Sequence, residues 1–232
     1  MPVRAGRQPA GDSALRGRGD GARARLPERA VLKRLLLVRH AHALSNATDR
    51  VSSSPPGEGL SEQGVEEALA LRETLAYDSV GIGIATRLVR TQETLELALG
   101  RRDVERSVLP GLDEIDFGSY EGGPLVDYRT WAWTNEPDAV CPGGGESRVE
   151  AAERFAQALH TLLQRPEEVI VAVSHSLPIR YVLDASDGRF PAARIEHVPH
   201  ATPYELDSDA VERAAETLRV WAAAPRFVDA TA

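Results

Sequence analysis

Two histidines lie shortly after apolar segments that have the composition of buried strands. His40 lies two residues after Leu35–Val38, and His175 lies two residues after Val169–Val173. In open α/β sheets, ligands bind outside the carboxyl ends of the strands. We therefore expect both imidazoles at one edge of a sheet, and this pair is stronger evidence for a functional site than a single histidine would be.

Three further polar residues are placed to bind an anion beside these histidines. Arg39 adjoins His40, Arg90 begins a predicted helix after the apolar segment Gly81–Ala85, and Asn46 lies in a loop six residues beyond His40. A guanidinium suits a doubly charged phosphate because its planar fork donates two parallel hydrogen bonds. The Asn46 amide can donate to the same anion. Arg90 alone would be taken for a solvated helix residue, but its neighbours favour a phosphate site.

Glu114 lies in an acidic and aromatic loop, Leu112–Gly122, whose glycines permit tight turns. A carboxylic acid at this place could protonate a leaving alcohol oxygen. The segment alone does not exclude an ordinary acidic surface loop. The catalytic interpretation of Glu114 therefore depends on the other candidates.

Strand-like and helix-like segments alternate along the chain from residue 31. This order predicts an α/β fold, a three-layer α/β/α sandwich with a mainly parallel central sheet. The predicted strands are Leu35–Val38, Gly81–Ala85, Val169–Val173, Tyr204–Leu206 and Thr217–Trp221. Residues 31–232 have no clear linker and are expected to form one domain, preceded by a disordered basic extension over residues 1–30.

The predicted helices have recognisable starts. Ser61 can cap one helix, Leu88–Leu99 forms another, Ser147 and Glu150 make a capping box, and Pro178 fits the first turn of a fourth. The residues expected to face the core from the first helix are Val65, Ala68, Leu69, Leu75 and Ala76.

Charge and composition restrict the partners. The formal net charge is −8; residues 1–34 hold nine Lys or Arg against three Asp or Glu, and the remainder holds 18 against 32. So acidic a domain is a poor general binder of nucleic acid. The basic N-terminus could be a nucleic-acid arm, but Lys33 is the only lysine and arginine is abundant throughout, so coding bias is the simpler explanation.

Membrane and redox features are few. No segment approaches the ~18 apolar residues of a membrane span, so we expect no membrane partner. The single cysteine, Cys141, excludes an intrachain disulfide framework and suits a reducing cytoplasm. The expected location is cytoplasmic, and the sequence does not indicate an oligomeric state.

Six segments carry these candidate residues in a fixed order. They are Leu36–Ala41 with Asn46 beyond it, Gly59–Gly64, Thr86–Thr94, Glu114–Gly122, Pro142–Ser147 and Val173–His175. Each is weak alone. In this order they resemble the motifs of the histidine phosphatase superfamily, also called the phosphoglycerate mutase-like family, over about residues 35–206.

The resemblance implies a metal-independent phosphatase without a cofactor. His40 would attack the phosphorus and become phosphohistidine, and Glu114 would protonate the leaving oxygen and then act as base for water. The implied phosphate ligands are Arg39, Asn46, Arg90, His175 and the backbone amide of Ser176. Ser176 stands where the family has a glycine, Ala41 likewise, and His42 stands where an acidic residue is common.

The substrate is expected to be a small phosphorylated metabolite. Only 19 residues separate Gly122 from Pro142, which favours hydrolysis over a mutase reaction, although mutase-type phosphotransfer stays open. The loop around Glu114 resembles that of bacterial broad-specificity and alpha-ribazole phosphatases. Tyr128, Trp131 and Trp133 could line the substrate side of the pocket, or a tryptophan could pack a small subdomain core.

The sequence also leaves two other classes of function open. His40 and His42, on alternate residues after a strand, could chelate Zn²⁺ in a metal-dependent hydrolase. That alternative leaves the arginine and glutamate motifs unexplained. A non-catalytic phosphate binder is also conceivable, but the candidate nucleophile, acid and phosphate ligands are all present.

Overall fold

The computed structural model describes residues 32–76 and 78–228. The predicted disorder of residues 1–30 therefore lies outside the described residues. Within the described part of the chain, the helices lack the length and apolar character that a membrane span requires.

Among the described residues, five strands form one mixed sheet in the order β3-β2-β4-β1-β5. Their bounds are β1 Arg34–Arg39, β2 Ile82–Ala85, β3 Glu105–Val108, β4 Val169–Ser174 and β5 Pro203–Leu206. The first four strands are parallel, and β5 pairs with β1 in the antiparallel direction. β1 and β4 are the central strands beside each other, and their continuous apolar runs are typical of strands buried on both faces.

Seven α-helices and two short 3₁₀ turns surround the sheet among the described residues. The helices are α1 Leu44–Ala47, α2 Glu62–Thr74, α3 Val89–Leu99, α4 Leu125–Thr134, α5 Arg148–Leu163, α6 Ser176–Ser186 and α7 Ser208–Ala223. The 3₁₀ turns are Pro110–Leu112 and Gly118–Tyr120.

Alternate strand residues contact two different cores. Leu36 and Val38 pack with residues of α2 and α3 on one face. Leu35 and Leu37 pack with the larger core on the other face, which α5, α6 and α7 complete. This alternation follows the two-residue period of a strand, and it confirms the predicted three-layer α/β/α sandwich.

Helix starts agree with the sequence analysis. Ser61 caps α2 by accepting a hydrogen bond from the Gly64 N–H at 3.2 Å. The capping box of α5 is formed: Ser147 Oγ accepts from the Glu150 N–H at 3.1 Å, and the Glu150 carboxylate accepts from the Ser147 N–H at 2.8 Å. Pro178 occupies the first turn of α6.

The predicted strand Thr217–Trp221 was wrong, because these residues belong to α7. The buried face of α7 follows the helical period and is made largely of alanine, a weak signal in a hydrophobicity pattern. The buried residues of α7 are Val211, Ala214, Ala215, Leu218, Trp221 and Ala222.

Three smaller expectations also needed correction. Val65 and Leu69 of α2 are both 39% exposed rather than inward, because the helix turns Ala68 and Leu71 toward the sheet. Ala76 is exposed as well, since α2 ends at Thr74. Asn46 lies in the four-residue helix α1 rather than in a loop. The edge strand β3 was not predicted, since its half-exposed sequence lacks an apolar run.

Candidate active site

A cleft of about 610 Å³ opens where the chain leaves the carboxyl ends of β1 and β4. Its lining includes six of the seven predicted site residues: Arg39, His40, Asn46, Arg90, Glu114 and Ser176. The seventh, His175, is fully buried next to this lining, with its ring centroid 5.2 Å from that of His40. The structure therefore brings together residues that are widely separated in the sequence.

His40 is held at both its backbone and its ring. Its N–H donates to the carbonyl of Ser174 at 2.9 Å, which extends the β1–β4 ladder by one residue. The ring Nδ1 lies 2.8 Å from the Ala41 carbonyl, which can only accept a hydrogen bond, so Nδ1 carries the proton. The Nε2 lone pair therefore points into the site.

The surroundings of His40 keep this ring neutral. Burial, followed by the charges of Arg90 and Arg39, holds the pKa of His40 well below its usual value of 6.5. A neutral imidazole whose Nε2 carries the lone pair is a competent nucleophile at pH 7.

Arg90 connects the two histidines. Its Nε donates to His40 Nε2 at 3.1 Å, and its Nη2 donates to His175 Nδ1 at 3.2 Å and to the Ser52 carbonyl at 2.7 Å. The side chain is only 3% exposed. Its third nitrogen, Nη1, is buried and has no hydrogen-bond partner among the described residues. This nitrogen is a donor available to an anion.

Arg39 offers a second free donor. Its Nη1 donates to the Val198 carbonyl at 2.6 Å, which fixes the guanidinium, while its buried Nε has no partner among the described residues. Burial lowers the pKa of Arg39 to about 10, so the group keeps its charge at neutral pH. Two oriented cations thus face the cleft with unused N–H groups.

His175 lies at the N-cap of α6, directly after β4. Because Arg90 donates to its Nδ1, Nε2 carries the proton and donates to Thr86 Oγ1 at 3.0 Å. Burial, followed by the charge of Arg90, holds the pKa of His175 well below its usual value. Without an anion in the cleft, His175 is therefore neutral.

Glu114 is partly buried on the cleft wall. One carboxyl oxygen accepts from the Ile115 N–H at 3.1 Å. Burial raises the pKa of Glu114, against the opposing effects of that N–H and of Arg90 and Arg39. A carboxyl group with a raised pKa keeps its proton to a higher pH than an exposed one, which suits a general acid.

Asn46 and Ser176 line the cleft with different local roles. The Asn46 side-chain oxygen accepts from the Ala43 N–H at 2.9 Å, so its amide nitrogen stays available as a donor. Ser176 is the first residue of α6. Its position puts the positive end of that helix at the cleft.

Glu121 belongs to the same motif as Glu114 but has a positioning role. Its carboxylate accepts from the N–H and hydroxyl of Ser53, at 2.9 and 2.8 Å. Ser53 in turn accepts from the Phe117 N–H at 3.1 Å. These bonds fix the segment whose Ser52 carbonyl orients Arg90.

His200 is the residue that sequence reasoning missed. Its Nδ1 donates to the carbonyl of His40 at 2.7 Å, and its ring centroid lies 5.5 Å from that of His40. Burial, followed by the charge of Arg39, lowers the pKa of His200 to about 4. His200 lies just before β5. An antiparallel strand starts at the edge of the sheet where its parallel neighbours end. This position could therefore have indicated that His200 lies close to the site.

His40 and His42, which are two residues apart in the sequence, direct their rings at different partners. His42 Nδ1 lies 2.8 Å from Ser61 Oγ, whereas His40 Nε2 faces Arg90. Residues 32–76 and 78–228 contain no cluster of three or more His, Cys, Asp or Glu side chains suited to hold a metal ion.

The aromatic candidates divide between the cleft and the core. Tyr128 and Trp133 line the cleft. Trp131 is half-buried and packs against the main core, with its ring centroid 6.0 Å from that of Tyr128. The pocket interpretation thus holds for Tyr128 and Trp133, whereas Trp131 packs against the main core instead of a small subdomain core.

The fold and the paired histidines are typical of α/β enzymes that bind phosphate. Comparison with known proteins identifies the family. The sequence profile of the histidine phosphatase superfamily (branch 1) matches residues 35–223. The chain belongs to this superfamily.

Individual relatives are phosphatases by name. The adenosylcobalamin/alpha-ribazole phosphatase of Escherichia coli (strain K12) is 28% identical over 153 residues, covering 61% of this chain and 73% of the relative. The glucosyl-3-phosphoglycerate phosphatase of Mycolicibacterium vanbaalenii is 30% identical over 139 residues, covering 57% of this chain and 60% of the relative. The crystal structure of the alpha-ribazole phosphatase from Shigella flexneri has the same fold, with a TM-score of 0.66 and 24% identity over 75% of this chain and 90% of that one.

The chain spans very different shares of its relatives. It matches only 15% of the length of a PE-PGRS family protein of Mycobacterium tuberculosis, with 34% identity over 90 residues. Part of this chain thus resembles a segment of a much longer protein.

Proposed function

We propose that this protein is a metal-independent phosphomonoesterase that acts on a small phosphorylated metabolite through a phosphohistidine at His40. The observation that carries the proposal is the neutral His40 ring. Its Nε2 lone pair faces a cleft in which Arg39 and Arg90 each have an unused buried donor. A phosphate monoester is the ligand whose oxygens and phosphorus fit these groups.

In the first step, His40 Nε2 attacks the phosphorus, and the bond from phosphorus to the ester oxygen breaks. The proton of Glu114 passes to the departing oxygen, which leaves as an alcohol. The His40 Nδ1 proton stays on the ring, bound to the Ala41 carbonyl. In the second step, water attacks the phosphorus and gives a proton to the Glu114 carboxylate, while the electron pair of the phosphorus–nitrogen bond returns to Nε2.

The phosphate oxygens are held by Arg39, Arg90 and His175, with help from the Asn46 amide and the backbone N–H of Ser176. His175 is neutral in the empty cleft, and Arg90 donates to its Nδ1. A bound dianion supplies the opposite charge, so that His175 takes up a proton and donates from Nδ1 to a phosphate oxygen. These groups together stabilise the charge on the equatorial oxygens of the transition state.

Two observations support metal independence over the Zn²⁺ alternative. Arg90 places a fixed positive charge at His40 Nε2, which would repel a metal ion but attract a phosphate dianion. His42 directs its Nδ1 at Ser61 rather than toward the same point. The positive charge that a metal would supply comes from the arginines.

Hydrolysis is favoured over mutase-type transfer by the segment between Gly122 and Pro142. This segment holds a single helix, α4, which supplies Leu125, Tyr128 and Arg129 to one wall of the cleft. A site without a longer cover admits the water that the second step needs. The phosphatase names of the relatives agree with this choice. The cytoplasmic location stays a prediction that rests on the single cysteine.

The test is hydrolysis of para-nitrophenyl phosphate in excess EDTA by the native protein, His40→Ala and His42→Ala. We expect activity that EDTA leaves intact, a loss of about 10³-fold or more in His40→Ala, and most of the activity in His42→Ala. Acid-labile, base-stable ³²P labelling that is absent from His40→Ala identifies the phosphohistidine. Loss of activity in EDTA and in His42→Ala together would instead favour the metallohydrolase.

A further inference from the structure

His200 is a histidine of the cleft that the proposed phosphoryl chemistry does not use. Its Nδ1 lies 2.7 Å from the carbonyl oxygen of His40. A carbonyl can only accept a hydrogen bond, so Nδ1 carries the proton and Nε2 of the neutral ring carries the lone pair. Burial, followed by the charge of Arg39, lowers the pKa of His200 to about 4, which keeps the ring neutral at pH 7.

A neutral His200 is a poor ligand for the phosphate itself. The residue lines the cleft, but its single ring N–H is occupied by the His40 carbonyl. The remaining Nε2 is an acceptor, and the oxygens of a phosphate dianion are acceptors as well. A contribution of His200 to the reaction therefore has to pass through His40.

The peptide bond between His40 and Ala41 is held on both sides by side chains. β1 ends at Arg39, so the His40 carbonyl lies beyond the ladder of the sheet, and its donor is the His200 ring. On the other side, the Ala41 N–H donates to Thr94 Oγ1 at 3.0 Å. Two parts of the chain that are far apart in sequence thus fix one peptide plane.

This peptide plane determines where the nucleophile points. The His40 ring is oriented by the Ala41 carbonyl, 2.8 Å from Nδ1, and this is the next carbonyl along the chain. A rotation of the His40–Ala41 peptide displaces that carbonyl, and the ring Nε2 moves with it. Attack on phosphorus needs aligned atoms, and a misplacement of about 1 Å can cost about 10²-fold in rate.

The backbone adopts a strained conformation directly after His200. Ala201 has a φ of 46°, in the left-handed region that is unfavourable for a residue with a Cβ atom. With this turn, the His200 ring and the Ala201 N–H reach two successive carbonyls, those of His40 at 2.7 Å and Arg39 at 2.9 Å. Strain of this kind clusters at functional sites, where the surrounding bonds maintain it. The turn therefore favours a role for the His200 contact in the reaction.

A second histidine braces the His200 ring. The ring centroid of His42 lies 5.5 Å from that of His200, in an edge-on arrangement. His42 is itself fixed to α2 and its N-cap, because its N–H donates to the Glu67 carboxylate at 2.8 Å and its Nδ1 lies 2.8 Å from Ser61 Oγ. His42 thus supports the position of the ring, whereas the hydrogen bond to His40 belongs to His200 alone.

We propose that His200 is a positioning residue that fixes the His40–Ala41 peptide and thereby aims His40 Nε2 at the phosphorus. This inference rests on the proposed phosphatase function and assigns a role that the phosphoryl chemistry itself leaves unfilled. The effective part of His200 is the Nδ1–H bond. An asparagine, whose amide nitrogen can donate to the same carbonyl, should replace it, and a leucine should not.

The test measures kcat/KM for para-nitrophenyl phosphate and the inhibition constants of inorganic phosphate and orthovanadate. Inorganic phosphate reports the arginine donors, whereas orthovanadate, a transition-state analogue that bonds to the attacking nitrogen, also reports the aim of His40. His200→Leu should lower kcat/KM by about 30- to 100-fold and raise the vanadate constant by a similar factor. The phosphate constant should change less than about threefold, and His200→Asn should stay within about threefold of the native protein in all three values.

Thr202→Val is the matched control. The Thr202 hydroxyl donates to the His200 carbonyl at 3.0 Å at an exposed position, so its removal loosens the same segment but leaves the bond to His40. We expect less than about twofold change in kcat/KM. Equal losses in Thr202→Val and His200→Leu would overturn the inference, because they would show a general loosening of the segment.

Three other results would overturn the inference as well. Equal weakening of phosphate and vanadate in His200→Leu would make His200 a phosphate ligand or a merely structural residue. A loss in His200→Asn as large as that in His200→Leu would show that the donor is not the effective part. Native-like kcat/KM in His200→Leu would remove the role altogether.

His200→Phe keeps the test decisive if His200→Leu does not fold. Phenylalanine keeps an aromatic ring beside those of His40 and His42 but has no donor, so the same selective weakening of vanadate is expected. Native-like vanadate inhibition in this variant would overturn the inference while native hydrolysis still supported the proposed function. Absence of His40-dependent hydrolysis in the native protein would overturn the proposed function and this inference together.

Discussion

The two ends of the cleft are built in different ways. At the phosphate end, His40, Arg90 and His175 are at most 4% exposed, and each is held by the others or by the main chain. At the leaving-group end, Trp133 is 39% exposed and Arg129 is exposed, both on the short helix α4. The phosphate end depends on the sheet, whereas the leaving-group end depends on a helix outside it. The reaction is therefore fixed more rigidly than the choice of substrate.

The largest expected effect is at the phosphate end. Arg90→Met should lower kcat/KM by about 10³-fold for both para-nitrophenyl phosphate and an alkyl phosphate, because it removes a phosphate donor and the bonds that orient both histidines. Steady-state kinetics with the two substrates measure this. Arg101→Met, at an exposed position, is the control. A loss that differs more than tenfold between the substrates would contradict the separation of the two ends.

A smaller effect that depends on the leaving group is expected for Glu114→Gln. A nitrophenolate is stable enough to leave without a proton, whereas an alkoxide must be protonated as it leaves. The measurement is kcat/KM, which reports the steps up to release of the alcohol and so excludes the later hydrolysis step, in which Glu114 acts as base. In kcat/KM the variant should lose about 10²-fold with an alkyl phosphate and less than about tenfold with para-nitrophenyl phosphate. Equal losses of kcat/KM with both substrates would remove Glu114 from the role of general acid.

The pH profile of the same variant provides a second measurement. Since burial raises the pKa of Glu114, the acid form persists above the usual range, and activity toward the alkyl phosphate falls as pH rises through that pKa. Glu114→Gln should lack this limb of the profile. Its persistence would assign the limb to another group.

The smallest expected effect concerns the stability of the phosphate end at low pH. The pKa of His200 is about 4 in the folded protein, against 6.5 as its usual value. Below pH 6.5 the unfolded chain binds more protons at this residue, so its contribution is intact above pH 6.5 and is lost as pH falls toward 4. His40 and His175 act in the same direction.

Thermal melts at pH 7.5 and pH 5 measure this difference. His200→Asn should show a fall in melting temperature between these pH values that is smaller by roughly 2–6 °C, because asparagine can donate to the His40 carbonyl without titrating. An identical fall in the variant would show that His200 does not contribute to the acid sensitivity of the phosphate end.

The sequence predicts the two central strands and the positions of the two histidines well, because both depend on local patterns. The continuous apolar runs before His40 and His175 predict β1 and β4, and Ser147 with Glu150 predicts the start of α5. Once two neighbouring parallel strands are known, the meeting of their carboxyl ends follows from topology.

Other features depend on contacts that no local pattern records. Trp221 and Leu218 resemble a strand because the alanines that complete their helical face carry little hydrophobic signal. His200 reaches His40 only because β5 lies beside β1 in the antiparallel direction. Arg148 looks like a surface residue after a capping box, and only the packing of two tyrosines around it reveals a buried charge.

The pairing of β1 with β4 has a consequence for how this site tolerates mutation. Arg39 lies opposite Ser174 in the ladder, so His40 and His175 are the next residues of two hydrogen-bonded strands. The hydrogen bonds of the main chain, and not side-chain packing, therefore fix the backbone positions of His40 and His175. Apolar exchanges in the core can accumulate without separating the histidines, whereas inserting one residue in either strand would turn a ring to the opposite face. The active site is thus robust to sequence drift and fragile to changes in chain length.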